Sequence, residues 1–323
     1  MATRTTDFLK RSGREEKSLE DYAGRQPRWC TGCGDLAILA AVQRVCREEQ
    51  LPREKTVFVS GIGCSSRFPH YMGTYGFHGL HGRALPVAEG IKMRRPDLHV
   101  FVNTGDGDCC SIGAAHWVHA TRYNMDMTVM LHDNNIYGLT KNQASPTSPL
   151  GTVSNTTPRG SLLPALDPLQ ATLGMANLSF VAQVPDWIPE LLFQVIHEAF
   201  KHHGFSFIRI LQRCPEFQPS RWEPCMQDPD SLTILTHEDG LQMSAGLARI
   251  YKNQEEHDPA DIVEARRIAG TNERLPVGIF YRNRDVPCYE DLYRPDRLYT
   301  PDLIMRGLNE ELDKFTIWPR DRS

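Results

Sequence analysis

Short apolar runs recur along the first two thirds of the chain and alternate with longer amphipathic stretches. Strands that are buried on both faces of a parallel sheet read as near-continuous apolar runs rich in β-branched residues. Runs of this kind cover residues 55–60, 99–104, 127–132, 180–184 and 206–211. Residues 110–123 and 187–202 have the length and pattern of helices. The alternation predicts an α/β fold in which a parallel sheet is flanked by helices.

Patterning and polarity divide the chain into three parts. Residues 1–28 are charged and weakly patterned, which indicates an arm that is either disordered or laid against a partner. Residues 29–215 carry the strand–helix alternation and are predicted to form the ligand-binding domain. Residues 216–323 are more polar, and we expect a C-terminal extension wrapped on the domain or on a partner, with a helix at 237–251.

The overall charge narrows the classes of partner. A net charge of −4 and a pI near 6.3 give no reason to expect nucleic acid or an anionic membrane surface as a partner. No apolar run approaches the roughly 20 residues that a membrane span needs, and the first residues lack the apolar core of a signal peptide. We therefore expect a cytosolic protein whose nine cysteines are thiols or metal ligands rather than disulfides.

Polar residues follow two of the apolar runs directly. The sequence Gly-Asp-Gly-Asp at 105–108 follows the run at 99–104, and Asn-Asn at 134–135 follows the run at 127–132. Because ligands collect outside the carboxyl ends of parallel strands, we expect these residues to meet at one edge of the sheet. The helix predicted at 110–123 begins there, and its N-terminal amides suit a phosphate. Carboxylate and amide oxygens beside that phosphate suit Mg²⁺ bound to a diphosphate.

Four cysteines are candidates for the same edge. Cys30 and Cys33 form a C-x-x-C motif that contains Gly32 and is followed by Gly34, which alone fits a zinc knuckle, a redox pair or half of an iron–sulfur site. Cys64 lies in a glycine loop after a strand, and Cys214 precedes a proline after another. No strand is predicted before the C-x-x-C motif, which disfavours a thioredoxin-like role. Structural zinc remains an open alternative.

Taken together, the motifs resemble the β subunit of the 2-oxoacid:ferredoxin oxidoreductases, over residues 29–217. The motifs that carry the resemblance are W-C-x-G-C-G from Trp29, G-I-G-C-S from Gly61, L-H-G-R-A-x-P-x-A-x-G-x-K from Leu80, G-D-G-D from Gly105 and N-N-I-Y-G-L-T from Asn134. The resemblance implies a thiamine-diphosphate-binding parallel sheet of the pyrophosphate type, with thiamine diphosphate, Mg²⁺ and one 4Fe–4S cluster as cofactors.

Residue roles follow from the same resemblance. The implied Mg²⁺ ligands are Asp106, Asn134 and the backbone carbonyl of Ile136. The implied cluster ligands are Cys30, Cys33, Cys64 and Cys214, the last flanked by Arg213 and Glu216 where relatives carry small residues. The implied cofactor contacts are Ile62, Gly63, Cys64, Ser65, Leu80, His81, Gly82, Arg83, Gly105, Gly107, Asp108, Gly138, Leu139 and Thr140.

Two side chains are expected to take part in catalysis. His81 would serve as a proton donor facing the cofactor, and Arg67 would bind the substrate carboxylate. Each has an alternative. His78 and His81 could form a metal pair, which the surrounding glycines disfavour. Arg67 could pair with a surface carboxylate, and Arg83 could brace its loop instead of contacting phosphate.

The resemblance implies a CoA-acylating oxidoreductase that passes electrons to ferredoxin. The sequence Gly-Leu-Thr-Lys at 138–141, followed by 143–148, looks most like 2-oxoglutarate enzymes that form succinyl-CoA, with Lys141 or Arg67 facing the distal carboxylate. Pyruvate ranks second, and branched-chain or aryl 2-oxoacids third. A partner α subunit would supply the glutamate for the aminopyrimidine ring and the CoA pocket, in a heterotetramer of two α and two β subunits.

Two other functions fit parts of the pattern. A cluster-free thiamine-dependent decarboxylase or synthase subunit shares the Gly-Asp-Gly and Asn-Asn motifs but gives no use to four cysteines. A zinc-bearing assembly protein on a degenerate fold would keep the cysteines and lose Asp106 or Asn134, and both are present.

Overall fold

The computed structural model describes residues 16–238, 240–241, 243–271, 273–293 and 301–315. Residues 1–15 of the predicted arm lie outside this range. The described residues fall into two compact units, which divide after residue 290. The larger unit contains every candidate site residue. The described part of the smaller unit contains one helix with exposed apolar side chains, including Met305 and Leu308.

A nine-stranded sheet forms the centre of the larger unit, with strand order β10-β9-β11-β7-β8-β4-β3-β1-β2. All neighbours are parallel except β11 and β7, which are antiparallel, and β5 and β6 form a separate antiparallel ribbon. In the described residues the strands are β1 Thr56–Ser60, β2 Tyr75–His78, β3 His99–Gly105, β4 Met127–Asp133, β5 Ile136–Tyr137, β6 Gln143–Ala144, β7 Phe180–Pro185, β8 Phe205–Leu211, β9 Leu232–Thr236, β10 Gln254–Glu256 and β11 Leu275–Arg282.

Helices cover the sheet and connect its strands. No helix in the described part of the chain is both long enough and apolar enough to cross a membrane. Single turns of 3₁₀ helix occur at Glu20–Tyr22, Arg53–Lys55 and Pro229–Ser231, a longer one at Ser65–His70, and a π-helical turn at Asp108–Ile112. The α-helices are α1 Asp35–Glu48, α2 Ala84–Arg94, α3 Ala114–Tyr123, α4 Pro168–Leu173, α5 Pro189–Lys201, α6 Glu223–Gln227, α7 Ala245–Ile250, α8 Ile262–Ala269, α9 Tyr289–Tyr293 and α10 Pro301–Asp313.

The core is divided between the two faces of the sheet because successive strand residues point to opposite sides. Phe58 and Phe101 pack on the face covered by α1 and α5, where their rings stack 4.8 Å apart. Val59 and Val102 pack on the opposite face, covered by α2 and α3. Central strands β4 and β8 are buried at every residue. The predicted α/β fold, a mostly parallel sheet flanked by helices, is therefore confirmed.

Strand register brings the carboxyl ends of the central strands to one level. Gly105 of β3 pairs with His132 of β4, and His132 pairs with Ile210 of β8. Ser60 of β1 pairs with Asn103, two residues before the end of β3. The loops that leave β1, β3, β4 and β8 therefore emerge side by side at one edge of the sheet.

Several elements differ from the prediction. The helix predicted at 237–251 is wrong over its first half, since the described helix is only α7, Ala245–Ile250. Strands β9, β10 and β11, all beyond residue 215, extend the same nine-stranded sheet. Strand β2, an exposed edge strand, also had no clear sequence signal. The domain boundary at residue 215 stays a prediction.

Candidate functional site

A cavity of about 400 Å³ opens at the carboxyl edge where the loops after β1, β3 and β4 meet. One buried polar atom in its wall, the Ser65 hydroxyl, has no hydrogen-bond partner in the protein and is available to a polar ligand. The lining residues are Ile62, Gly63, Cys64, Ser65, His81, Gly105, Asp106, Gly107, Asp108, His132, Asn134, Ile136, Tyr137, Gly138, Leu139, Thr140 and Gln143.

Asp106 lies in the turn after β3 and is almost completely buried. Its Oδ2 accepts hydrogen bonds from Ser145 Oγ at 2.5 Å and Thr147 Oγ1 at 2.7 Å. Burial, reinforced by the charge of Asp133, raises the pKa of Asp106 to about 7. Thr147 Oγ1 also lies 2.8 Å from Asp133 Oδ1, so a single hydroxyl joins two buried carboxylates. A divalent cation beside Asp106 would relieve the same unfavourable charge.

The loop after β4 is held by several separate contacts. Asn134 Oδ1 accepts from the Ile136 amide at 3.2 Å, and both residues line the cavity. Asn135 has a φ of 60°, a left-handed conformation that asparagine tolerates. Its side-chain oxygen accepts from Arg221 Nε at 2.6 Å, and its backbone oxygen accepts from Ser148 Oγ. The candidate Mg²⁺ ligands thus lie on a braced backbone.

The turn at Gly107 fits closely against Tyr137. The Tyr137 hydroxyl donates to the Gly107 carbonyl at 3.2 Å. A Cβ atom at position 107 would overlap the Tyr137 ring, so any larger residue there forces that ring to move.

Asp108 connects three segments of the cavity wall. Its Oδ1 accepts from the amides of Ile62 at 3.1 Å and Gly82 at 2.7 Å. The same oxygen lies 2.7 Å from His81 Nδ1, and Oδ2 accepts from Thr104 Oγ1 at 2.7 Å. The buried carboxylate is therefore occupied by protein donors, and its contribution to the site is to hold the loops after β1, β2 and β3 together.

The two expected catalytic side chains lie in different settings. His81 lines the cavity, and its Nδ1 is fixed by Asp108. Arg67 does not line the cavity; its Nη1 donates to the Arg28 carbonyl at 3.1 Å and its guanidinium lies 5.8 Å from the Tyr71 ring centre. Three of the expected cofactor contacts also lie outside the lining, namely Leu80, Gly82 and Arg83.

Arg83 has its own partners beside the cavity. Its Nη1 donates to the carbonyls of Gly82 at 3.1 Å and Ile112 at 3.4 Å. These bonds brace the loop, which matches the alternative reading of this residue.

The structure brings the four candidate cysteines into electrostatic reach of one another. Burial is the main cause that raises the pKa of Cys33 and, to about 12, that of Cys64. The charges of neighbouring thiols add to it: Cys64 and Cys214 act on Cys33, and Cys30 acts on Cys64 and Cys214. All four are free thiols. Among the described residues, no three of these sulfurs all lie within 4.8 Å of one another.

The thiol cluster and the cavity share Cys64. This residue lines the cavity, and a Cβ atom at Gly138 would lie 3.5 Å from Cys64 Sγ. The Trp29 indole donates to the Cys64 carbonyl at 2.7 Å, which ties the C-x-x-C segment to the loop after β1. The Gly34 amide donates to the Arg213 carbonyl at 3.1 Å, which ties the same segment to the loop after β8.

Sequence reasoning missed a set of buried side chains behind these motifs. His132 Nδ1 lies 2.6 Å from Asp35 Oδ1, and His132 Nε2 lies 3.1 Å from Asn103 Nδ2. Two sequence features could have indicated this pair: His132 lies at the end of an apolar run, and Asp35 directly follows the C-x-x-C-G motif. Four further residues contact the site from distant parts of the chain through a hydroxyl, amide or guanidinium group, and the local sequence gives no indication of these contacts. They are Ser145, Thr147, Gln212 and Arg221.

Two family models match this chain. The model described as "Thiamine pyrophosphate enzyme, C-terminal TPP binding domain" matches residues 61–210, the segment that contains the cavity lining. A model of the C-terminal part of the "Pyruvate ferredoxin oxidoreductase beta subunit" matches residues 247–296. The chain therefore carries a thiamine-diphosphate-binding domain.

Individual relatives agree with the family models. The chain is 46% identical over 208 residues to the 2-oxoglutarate oxidoreductase subunit KorB of Mycobacterium tuberculosis, and the match spans 64% of this chain and 56% of that protein. It is 38% identical over 264 residues to the 2-oxoacid:ferredoxin oxidoreductase subunit beta of Saccharolobus solfataricus, over 81% and 84% of the two chains.

A solved structure is similar over nearly the whole chain. The 2-oxoglutarate:ferredoxin oxidoreductase of Magnetococcus marinus superposes with a TM-score of 0.76 and 33% identity, covering 91% of this chain and 96% of that one. The resemblance seen in the motifs is confirmed by sequence and by fold. The chain belongs to the family of 2-oxoacid:ferredoxin oxidoreductase β subunits.

Proposed function

We propose that the chain is the β subunit of a CoA-acylating 2-oxoglutarate:ferredoxin oxidoreductase and carries thiamine diphosphate, Mg²⁺ and one 4Fe–4S cluster. The observation that carries the proposal is the position of Cys64. It lines the cavity at the carboxyl edge of the sheet and also belongs to the group of four interacting thiols. A cofactor in the cavity and a cluster on the thiols would therefore share one wall, which suits electron transfer between them.

The cavity residues fit thiamine diphosphate and Mg²⁺. Asp106, Asn134 and the Ile136 carbonyl offer the hard oxygen ligands that Mg²⁺ prefers. The unpaired Ser65 hydroxyl offers a donor to the cofactor. When bound, the thiazolium would supply the carbanion chemistry that decarboxylates a 2-oxoacid. The protein orients the cofactor, and His81, held through Nδ1 by Asp108, would present its other ring nitrogen for proton transfer.

The thiol geometry favours a cluster over a single zinc ion. Four sulfurs bound to one zinc at about 2.3 Å must all lie close together. No three of these sulfurs in the described chain all lie within 4.8 Å of one another, which does not match the close set that a single zinc ion needs. Cys30, Cys33, Cys64 and Cys214 would hold the cluster, which would supply one-electron chemistry between the cofactor site and ferredoxin.

The rim of the cavity supports a partner α subunit. Leu139 lines the cavity and is 46% accessible, and Leu80 and Phe77, which precede the lining residue His81 in the chain by one and four residues, are 74% and 49% accessible. Exposed apolar side chains beside a site are typical of a surface where another protein binds. In our proposal this rim lies under the α subunit, which supplies the glutamate for the aminopyrimidine and the CoA pocket, in a heterotetramer of two α and two β subunits.

The choice of 2-oxoglutarate rests on similarity. The Magnetococcus marinus enzyme was solved with 2-oxoglutarate, coenzyme A and succinyl-CoA bound, and relatives named for 2-oxoglutarate are 39–46% identical to this chain. We propose Lys141 or Arg67 as the cation for the distal carboxylate; neither lines the cavity, so either one would meet the substrate outside that lining. Pyruvate is the second candidate, since one matching family model is named for the pyruvate enzyme.

The test is an anaerobic purification of the chain coexpressed with its copurifying α subunit. We expect about four irons and four sulfides per chain, a visible absorption that reductant bleaches, and 2-oxoglutarate-dependent reduction of a viologen that requires CoA. Zinc in place of iron would overturn the oxidoreductase proposal. A higher kcat/KM for pyruvate than for 2-oxoglutarate would overturn only the substrate.

A further inference from the structure

We propose that two side chains in contact with Cys33, Asp35 and Gln212, set the reduction potential of the cluster in opposite directions. The inference rests on the proposed function, because it concerns the cluster that Cys33 would hold. Asp35 directly follows the C-x-x-C-G motif and Gln212 precedes Cys214 by two residues, and neither side chain lines the cofactor cavity.

Gln212 directs a hydrogen-bond donor at the sulfur. It follows β8 and is 1% exposed, and its Nε2 lies 3.2 Å from Cys33 Sγ and 2.8 Å from the Arg213 carbonyl. Both amide hydrogens are thus used, whereas the buried Oε1 has no partner. Leaving a buried carbonyl oxygen unpaired is unfavourable, so this orientation favours a sulfur that carries negative charge. A cluster-bound thiolate is such an acceptor.

Asp35 brings a carboxylate into contact with the same sulfur. It is the first residue of α1 and is completely buried, with Oδ2 3.6 Å from Cys33 Sγ. Its Oδ1 is held at 2.6 Å by Nδ1 of His132, a buried cavity-lining histidine. The charge of Asp35, second to burial, also raises the pKa of Cys33 and of Cys64. Its field therefore reaches two of the four thiols.

Two other charged side chains lie near the motif, namely Arg67, which acts on Cys64, and Asp186, which is paired. Asp186, which faces Gly34, accepts from Arg213 Nε at 2.9 Å, so the two charges largely offset each other. Among the charged side chains described around Cys33, Asp35 is the one in contact with its sulfur.

The two contacts shift the reduction potential of the cluster in opposite directions. Reduction adds negative charge, which a nearby fixed carboxylate disfavours and a hydrogen-bond donor to sulfur favours. Asp35 therefore lowers the potential and Gln212 raises it. A cluster that must deliver electrons to a low-potential ferredoxin depends on this balance.

The test is a redox titration of the anaerobic α–β complex, followed by electron paramagnetic resonance of the reduced cluster. We expect Asp35→Asn, which is isosteric, to move the midpoint to a more positive value, and Gln212→Leu to move it to a more negative one. Asp97→Asn is the matched control. It removes the same charge from an exposed position before β3, at the opposite edge of the sheet, and should leave the midpoint unchanged.

The outcomes separate this inference from the proposed function. The inference would be overturned if the midpoint potentials of Asp35→Asn and Gln212→Leu both lay within the experimental spread measured for Asp97→Asn. It would also be overturned if both potentials shifted in the same direction. If Asp35→Asn does not assemble a cluster, the sign of the Gln212→Leu shift decides, and a shift to a more positive value overturns it. A wild-type complex without iron overturns the proposed function itself, whereas an iron-loaded complex with unshifted variants overturns this inference alone.

Discussion

Replacing Asp108 with alanine should loosen the cavity by releasing three loops at once. The carboxylate receives the amides of Ile62 and Gly82, the Thr104 hydroxyl and the His81 ring, all at 2.7–3.1 Å. Alanine removes every acceptor and leaves the two backbone amides without a partner.

The magnitude follows from the unpaired amides. Each buried donor left unsatisfied costs about 1–3 kcal/mol, so two of them lower the free energy of unfolding by about 2–6 kcal/mol. Asparagine keeps one oxygen for the amides and loses mainly the charge assistance, which amounts to about 1 kcal/mol. With a urea m-value of about 3 kcal/mol per M, alanine should lower the unfolding midpoint by about 0.7–2 M.

Urea unfolding followed by tryptophan fluorescence measures this change, and a thiamine diphosphate titration of the α–β complex reports the effect on the site. Asp97→Ala is the control, because Asp97 makes an exposed ion pair with Arg95 that contributes about 0–1 kcal/mol. If Asp108→Ala shifts the midpoint no more than this control does, the carboxylate does not hold the loops together. A large loss of stability with unchanged cofactor affinity would separate the fold from the site.

Three further predictions concern single positions. Gly107→Ala should abolish measurable cofactor binding because the added Cβ overlaps the Tyr137 ring. Gly90→Ala in α2 is the control, because a Cβ there meets nothing within 4 Å. This control variant should bind the cofactor normally and unfold at a slightly higher temperature. Thr147→Val should raise the Mg²⁺ concentration for half-maximal cofactor binding at least several-fold. The Thr147 hydroxyl lowers the pKa of Asp106, so its loss leaves more of this carboxyl protonated and less able to bind a cation. Thr147→Ser should match the wild type, and equal effects of the two variants would refute the hydroxyl's role. Burial lowers the pKa of His202 from its ordinary 6.5 to about 4, so between these pH values the unfolded state takes up a proton that the folded state does not. The free energy of unfolding should therefore fall as the pH decreases from 6.5 towards 4. His202→Gln should make this fall less steep, and an unchanged slope in the variant would contradict the assignment to His202.

The sequence predicted the central part of the fold because that part has the strongest local signal. Strands β1, β3, β4, β7 and β8 are buried on both faces and read as continuous apolar runs. Strand β2 reads Tyr-Gly-Phe-His, contains a glycine and lies exposed at an edge. Strand β11 is interrupted by Pro276 and Gly278, the latter at a φ of 134°. Tertiary pairing with β7 and β9 overrides these weak local preferences.

The candidate site also contains residues that a local sequence pattern could predict and residues that it could not. Strand ends with Gly-Asp-Gly-Asp and Asn-Asn could be placed together because parallel strands bring their carboxyl ends to one edge. The role of Asp108 as a brace was out of reach, because it depends on where the amides of Ile62 and Gly82 point. The same holds for Thr147, which contacts Asp106 from 41 residues away. Such contacts depend on tertiary geometry, for which a single sequence carries no periodic signal.

The bond from Arg221 to Asn135 has a consequence for biosynthesis. Chains leave the ribosome N-terminus first, and position 221 emerges after the four candidate cluster cysteines and after every residue that lines the cavity. The asparagine loop is therefore translated 86 residues before its guanidinium partner becomes available. An mRNA truncated before the codon for Arg221 would yield the central strands with an asparagine loop that lacks its guanidinium partner. The last step in completing the site during translation therefore comes from the segment beyond the last cluster cysteine.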